Sequence, residues 1–272
     1  MKTTIINKPI AFFKRDFLHA VSYRFQFMLQ LAGIFVSTFM FFFLAKLMGG
    51  AVNNKLAPYG GDYFSFVLIG IAFADYLTVS LQSFSSQIRT AQMQGTLEAL
   101  LVTPTPVWLI LFSSSLYNFF FTSLRVVLYL IVGTILFGLN LHITSLAAFL
   151  IVLLLTIITF SGIGLISAAF IIAFKQGSPI NWLVGTASSL LGGVFYPVNI
   201  MPPWIEHVSC LLPITHSLEA MRLILLKGAE LGEISHQLIA LITFAAVLLP
   251  LGTAAFLHGL KIAKKEGSLI HY

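Results

Sequence analysis

The sequence predicts an all-α integral membrane protein. Six transmembrane helices follow an N-terminal amphipathic interface helix, and short outer interfacial helices precede the last span. Three observations carry this. The chain is 58% hydrophobic and 9% charged, with a mean hydropathy of +0.96, whereas soluble domains carry about 25% charged residues. Apolar stretches of the roughly 20 residues that a crossing helix needs recur along it, and they hold most of its 26 Phe. Lys and Arg, finally, gather on alternate connections. The whole chain, 1–272, reads as one transmembrane domain with no room for a separate soluble catalytic domain.

At the N-terminus, Ile6, Ile10, Phe13, Phe17 and Val21 recur every three or four positions, with Lys8, Lys14, Arg15, Asp16 and His19 largely between them. This spacing predicts an amphipathic helix over 5–24 whose basic side suits anionic membrane lipids. No apolar core with a small-residue cleavage site follows, so the segment is not a signal peptide. The six spans are expected at 25–47, 63–84, 107–137, 146–174, 180–196 and 238–258. The third and fourth exceed the crossing length, which tilt or extension beyond the lipid absorbs.

Orientation follows from the basic residues. With the N-terminus inside, the inner segments hold Lys2, Lys8, Lys14, Arg15, Arg24, Arg89, Lys175, Lys261, Lys264 and Lys265, which makes ten. The outer segments hold four: Lys46, Lys55, Arg222 and Lys227; Arg125, within a span, completes the 15. Both termini are therefore expected in the cytoplasm, and the protein in the plasma (inner) membrane as a multi-pass chain. The formal charge of +6 reflects this loop bias rather than a nucleic-acid partner. No internal repeat is evident. A single cysteine, Cys210, cannot form an internal disulfide.

The outer segment 197–237 has prolines at 197, 202, 203 and 213, then a helical pattern at Leu218, Met221, Leu225 and Leu226. It is too apolar for a free loop and too broken by proline for a span. Short helices at, or dipping into, the outer interface fit it, with Tyr196 and Trp204 as interface anchors. Its Glu206, His207, His216 and Glu219 have metal-ligand chemistry, but not H-E-x-x-H spacing, so no metal site is expected. Asp75 and Arg125 fall mid-span in the second and third helices. Charges at that depth cost about 2.5–3.5 kcal/mol each on insertion scales and should face protein or water. Structural pairing and a place on a translocation path both remain open for them. Ser113–Ser115 and Asn118 either pack helices or line a path. Gly162, Gly164, Gly192 and Gly193 would let helices approach closely, and the run Phe39–Phe43 reads as lipid-facing or packing surface.

One connection stands apart, "TAQMQGTLEALLVTP". Gly95 breaks the preceding pattern, Thr96 can cap a helix, and Glu98 sits near its positive end. Leu97, Leu100 and Leu101 share one face, and Pro104 and Pro106 end the helix. The product is a two-turn cytoplasmic helix in the region 89–104, tied to two spans.

"GTLEALLVTP" resembles the cytoplasmic loop of type-2 ABC exporter permeases. The later "GGVFYPVNIMPPWIEHVSCLLPITHSLEAMR" resembles that family's outer segment, in which an aromatic-Pro (Tyr196, Pro197), a Pro-Trp, a Leu-Pro (Pro213) and an Arg (Arg222) recur in that order; Pro202 lies just before the Pro-Trp. The resemblance spans essentially the whole chain. Where many members carry an acidic residue before the glycine, this chain has Gln94. The resemblance implies a permease subunit of an ATP-driven exporter, paired with a second permease copy as a homodimer and with two copies of a separately encoded ATP-binding subunit. Residues 95–103 would be the coupling helix seated in the ATPase, with Gln94, Gly95, Thr96, Leu97, Glu98, Leu100 and Leu101 at the contact. The chain has no G-x-x-x-x-G-K-[ST] loop, so ATP and Mg would belong to that partner and no cofactor to this chain. The implied substrate is amphipathic: drug-like, lipid or lipid-linked glycan. An ATPase-independent secondary transporter, or an intramembrane enzyme or scaffold, is the competing reading, and it has little buried ionisable material to work with.

Overall fold

A computed structural model describes residues 2–22, 24–48, 53–93, 107–174 and 178–265. The segment 94–106, which holds every expected coupling residue from Gln94 to Leu101, lies outside the described residues. Among the described residues all regular structure is helical. In chain order these are α1 (Lys2–Ser22), α2 (Arg24–Met48), a short α3 (Asn53–Leu56), α4 (Tyr63–Met93), α5 (Val107–Phe137) and α6 (Leu146–Phe174). There follow α7 (Ser178–Leu191), α8 (Pro203–Cys210), α9 (Pro213–Lys227) and α10 (Ser235–Lys265). Five of them, α2, α4, α5, α6 and α10, are long and apolar enough to cross a membrane.

α5 and α6 have the limits the sequence predicts. α4 runs on to Met93, nine residues past its expected end at 84, because no Gly or Pro follows Gly70 until Gly95. Its serines return their hydroxyls to the helix, Ser85 to the Gln82 carbonyl at 3.1 Å and Ser86 to that of Ser83 at 3.3 Å. At 1.5 Å per residue α4 is about 46 Å long, well beyond a hydrocarbon core of about 30 Å.

The fifth expected span, 180–196, is corrected. α7 has 14 residues, about 21 Å, too short to cross alone. It stops at Leu191 because Gly192 and Gly193 follow, the latter at φ +79°, a conformation that side-chain-bearing residues rarely adopt. The chain turns back through a 3₁₀ turn, Val198–Ile200, into α8 and α9, which meet at a bend of 88°. Both begin on proline, whose missing N–H costs nothing in a first turn. α9 ends where the Gly228 N–H, at φ +68°, reaches the Ile224 carbonyl at 3.1 Å. Of its fifteen residues twelve are buried, so α9 is packed into the bundle on most of its sides.

α6 is clasped on both sides through small residues. A Cβ on Gly162 would lie 2.6 Å from the Leu248 carbonyl carbon of α10, and one on Gly164 would lie 2.7 Å from the Phe84 ring of α4. Such contacts let backbones approach where lipid gives no hydrophobic drive. The Ser80 hydroxyl of α4 donates to the Phe160 carbonyl of α6 at 2.5 Å across the second contact. α1 lies against α5, with the Phe13 ring 5.7 Å from Tyr117 and 5.3 Å from Phe120.

Candidate functional site

Every exposed residue described on α4 is polar: Thr78, Gln82, Ser86, Arg89 and Thr90. The i, i+4 step through 78, 82 and 86 stacks them along one line of the helix. Elsewhere the surface is what lipid requires. α2 exposes Phe35, Val36, Phe39, Met40 and Phe43, and α5 exposes Phe112, Phe120, Leu124 and Ile131. Counted at 1.5 Å per residue from Tyr63, Thr78 lies about 22 Å along α4 and Thr90 about 40 Å, so the line begins within a hydrocarbon core of about 30 Å and runs out past it. The part within the core needs water or protein against it.

α7 forms the facing wall. Between it and α4 lies an open groove of about 620 Å³, lined from α7 by Asn181, Trp182, Thr186 and Ser189, with Phe195 at one end. Asn181 holds the walls together. Its amide donates to the Leu81 carbonyl at 2.9 Å and to the Ser85 hydroxyl at 3.1 Å, while its Oδ1 accepts from Ser167 of α6. Trp182 is 69% exposed on α7. Sequence reading passed over this groove, although the spacing of Thr78, Gln82 and Ser86 inside an apolar span was visible in it. Asn181 gave no such signal, because its partners are backbone and side chains far away in sequence.

Asp75, one turn before Thr78, falls on the same side of α4, and the structure brings it to Arg125. The Arg125 Nη2 donates to Asp75 Oδ2 at 2.8 Å, with both side chains about one-quarter exposed. The bond is single rather than forked, and Arg125 Nε is buried without a partner among the described residues. Next to it the Tyr76 hydroxyl donates to Ser123 at 2.8 Å. Pairing lowers the cost of holding either charge within the span. Ser113 and Ser115 are buried, and neither lines the groove; Asn118 is half-buried and accepts the Thr122 hydroxyl on its carbonyl at 2.8 Å.

Arg222 is corrected outright. Counted above as an outer loop cation, it is 3% exposed, which leaves Lys46, Lys55 and Lys227 in the set expected outside. Its Nε donates to the Phe66 carbonyl of α4 at 3.1 Å and its Nη2 to the Val194 carbonyl at 3.0 Å. The guanidinium lies 3.4 Å from the centroid of the Phe66 ring, a stacking that arginine's flat, weakly hydrated cation favours. A Cβ on Gly70 would come within 2.6 Å of Nη2, so Gly70 opens the space the side chain fills. Arg222 thus pins α9 and the turn after α7 to α4.

The other outer residues separate. Pro197 and Pro213 are buried at the starts of the 3₁₀ turn and α9, Tyr196 is half-buried, and Pro202 and Trp204 are exposed about α8. Glu206 and His207 are exposed on α8, whereas His216 is buried with Nε2 2.9 Å from the Cys210 carbonyl. Among the described residues no three His, Cys, Asp or Glu side chains converge.

The family model described as ABC-2 type transporter matches residues 10–226 of the chain. Inner membrane transport permease YadH of Escherichia coli K12 is 26% identical over 192 residues, 70% of this chain and 72% of that protein. Probable multidrug ABC transporter permease YbhR of the same organism is 25% identical over 196 residues, 72% of this chain but 52% of its own length. Nodulation protein J of Rhizobium meliloti strain 1021 is 32% identical over 103 residues, 38% of this chain and 39% of that protein.

Proposed function

Since the chain belongs to the ABC-2 type transporter family, and is the membrane permease component of such a transporter, we propose that its α4–α7 groove is one wall of the translocation path. A second copy of the chain closes the other side. The observation that carries this reading is the wholly polar exposed face of α4 in a protein whose other long helices expose mainly apolar side chains. Where that face falls within the hydrocarbon, from Thr78 to about Gln82, water and a partner copy satisfy it and lipid does not. Amides and hydroxyls beside Trp182 and Phe195 suit an amphipathic substrate, whether drug-like, lipid or lipid-linked glycan, and export is the direction proposed.

The drive comes from outside the chain. Two ATP-binding subunits, carrying ATP and Mg, engage residues 95–103 on the cytoplasmic side, where both termini also lie. That segment joins the end of α4 to the start of α5, so a push on it moves the groove wall and the Asp75–Arg125 pair with it. Glu98→Arg should abolish co-purification of the ATPase. A stable complex carrying that change, and also after 95–101 is replaced by a flexible linker, rejects the coupling role.

Cross-linking tests the path itself. With Cys210 changed to Ser, a cysteine in place of Gln82 should join two copies in native membranes, and one in place of Val36 on α2 should not. Cross-linking through position 36 but not through position 82 would move the copy–copy contact away from the groove.

A further inference from the structure

A second cavity, of about 410 Å³, lies between the C-terminal ends of α2 and α5 and the N-terminal end of α4. Its floor is aromatic. The rings of Phe42, Phe64 and Phe137 stand 4.7 to 5.8 Å apart, centroid to centroid. The Lys46 ammonium is 4.9 Å from the centroid of Phe42. Asp62, which also lines the cavity, caps α4: its Oδ2 accepts the Ser65 N–H at 2.9 Å and the Ser65 hydroxyl, and its Oδ1 takes only a long contact, 3.4 Å, from the Phe64 N–H.

Lys46 and Asp62 therefore share one small cavity without pairing: among the described residues, neither has an oppositely charged side chain within 4.0 Å. An anionic headgroup would meet Asp62, and a cation would meet Lys46. A ligand carrying both charges a few bonds apart meets each with its opposite. Asn140, His142 and Tyr59 add polar contacts around the rim. Burial, and next Glu219, hold the Tyr59 phenol above its ordinary range, so its hydroxyl stays a donor.

Position selects the source of that ligand. Lys46 is near the end of the apolar stretch Met28–Met48, and Asp62 immediately precedes Tyr63–Thr90. The cavity thus lies at headgroup level, where charged and aromatic anchors concentrate. Toward the membrane interior the surface continues as exposed Phe39 and Phe43 of α2 and Ile135 and Leu136 of α5, an apolar track for acyl chains. We propose that this cavity binds a zwitterionic glycerophospholipid, its phosphate on Lys46, its ammonium on Asp62, and its chains along α2 and α5. The site is distinct from the groove, and its acyl track requires that the Phe39–Phe43 side of α2 faces lipid rather than a second copy.

The test uses the purified full-length chain, stripped of lipid in detergent. Native mass spectrometry counts bound dioleoyl phosphatidylethanolamine against dioleoyl phosphatidylglycerol, and thermal unfolding is followed with each lipid and with soluble O-phosphoethanolamine. The ethanolamine lipid should bind about tenfold more tightly, the worth of one charge-assisted hydrogen bond. Asp62→Asn, which keeps a capping side chain, should bring it down to the level of the glycerol lipid, and Lys46→Gln, at an exposed position, should weaken both lipids, since both present a phosphate. Equal retention of the two lipids, a preference that survives Asp62→Asn, or unchanged binding of both lipids by Lys46→Gln overturns the proposal. Stabilisation by soluble O-phosphoethanolamine equal to that by the lipid also overturns it, since the cavity would then belong to a water-soluble zwitterion.

Discussion

α2 and α4 are both apolar, membrane-length helices, yet they meet their surroundings in opposite ways. In α4, 72% of its apolar 18-residue core stretch is buried, and the little the helix exposes is Thr, Gln, Ser and Arg. In α2, 11% of the corresponding stretch is buried, and the helix exposes Phe, Leu, Val and Met. Hydropathy alone ranks the two alike, at 1.8 for α4 and 2.0 for α2. The difference lies in which side of each helix the bundle leaves open. α4 is held by specific bonds, from Arg222, Asn181, Ser80 and Tyr76, so its open side is free to be polar. α2 is held by rings packed tilted or edge-on against Phe137, and its open side is apolar.

The sharpest way to break this contrast is to remove what fixes α4. Arg222→Leu leaves the Val194 carbonyl buried without its donor and takes the stacked cation off Phe66. It should cost about 2–4 kcal/mol, seen as loss of folded protein on extraction and as a lower melting temperature. Arg222→Lys should recover part of that, because an ammonium can reach a carbonyl but cannot span two and stack at once. Full stability of the leucine variant would show that α9 is anchored some other way.

Next in size is a change of surface alone. Gln82→Leu with Ser86→Leu gives α4 the open face of α2. Both side chains are exposed, so stability should shift by no more than about 0.5 kcal/mol each. Transport should fall about tenfold or more, a loss of at least 1.4 kcal/mol at the rate-limiting step. Unchanged transport of any test substrate by a correctly assembled transporter would take the groove off the path.

The contrast between the two helices was only partly legible in the sequence. Composition and the length of apolar runs gave the class and the limits of α5 and α6, because those depend on local hydropathy. Asp75 and Arg125 stood out singly, since an ionisable residue inside a span is costly wherever it points. Arg222 was read as a loop cation because proline-rich flanks mimic an outer loop; its burial follows from carbonyls at Phe66 and Val194, 156 and 28 residues away. α7 reads as continuous with its turn because residues 180–196 carry no charged side chain, and only Gly192 and Gly193 mark the break. The groove required knowing that α7 packs on α4, which Asn181 achieves through partners near 81 and 167.

A smaller effect is expected from the ion pair at the upper edge of the polar line. Asp75→Asn keeps an acceptor for Arg125 but removes its counter-charge. With both side chains about one-quarter exposed, solvent screens part of the loss, so the stability cost should be about 1 kcal/mol or less. Assembly should stay intact. Transport should change by no more than about fivefold, the equivalent of that energy. Normal transport by both Asp75→Asn and Arg125→Gln would leave the pair a purely structural tie between α4 and α5.

The smallest effect is the one that tests the α2 half of the contrast. Phe39 is 47% exposed, and its contacts are with rings of its own helix and with Phe137. If its open side faces acyl chains, Phe39→Leu exchanges one apolar surface for another against a solvent with no preference between them. Melting temperature, copy number per complex and transport should then all stay at the native level, within about 0.5 kcal/mol where expressed as stability. Phe39→Gln supplies the opposite control, since an amide facing hydrocarbon is penalised whereas one facing a watery seam is not. Tolerance of glutamine together with intolerance of leucine would mean that α2, like α4, turns toward a wet or protein-covered surface. The two helices would then flank a single seam, and the polar line on α4 would be one side of something wider than a groove.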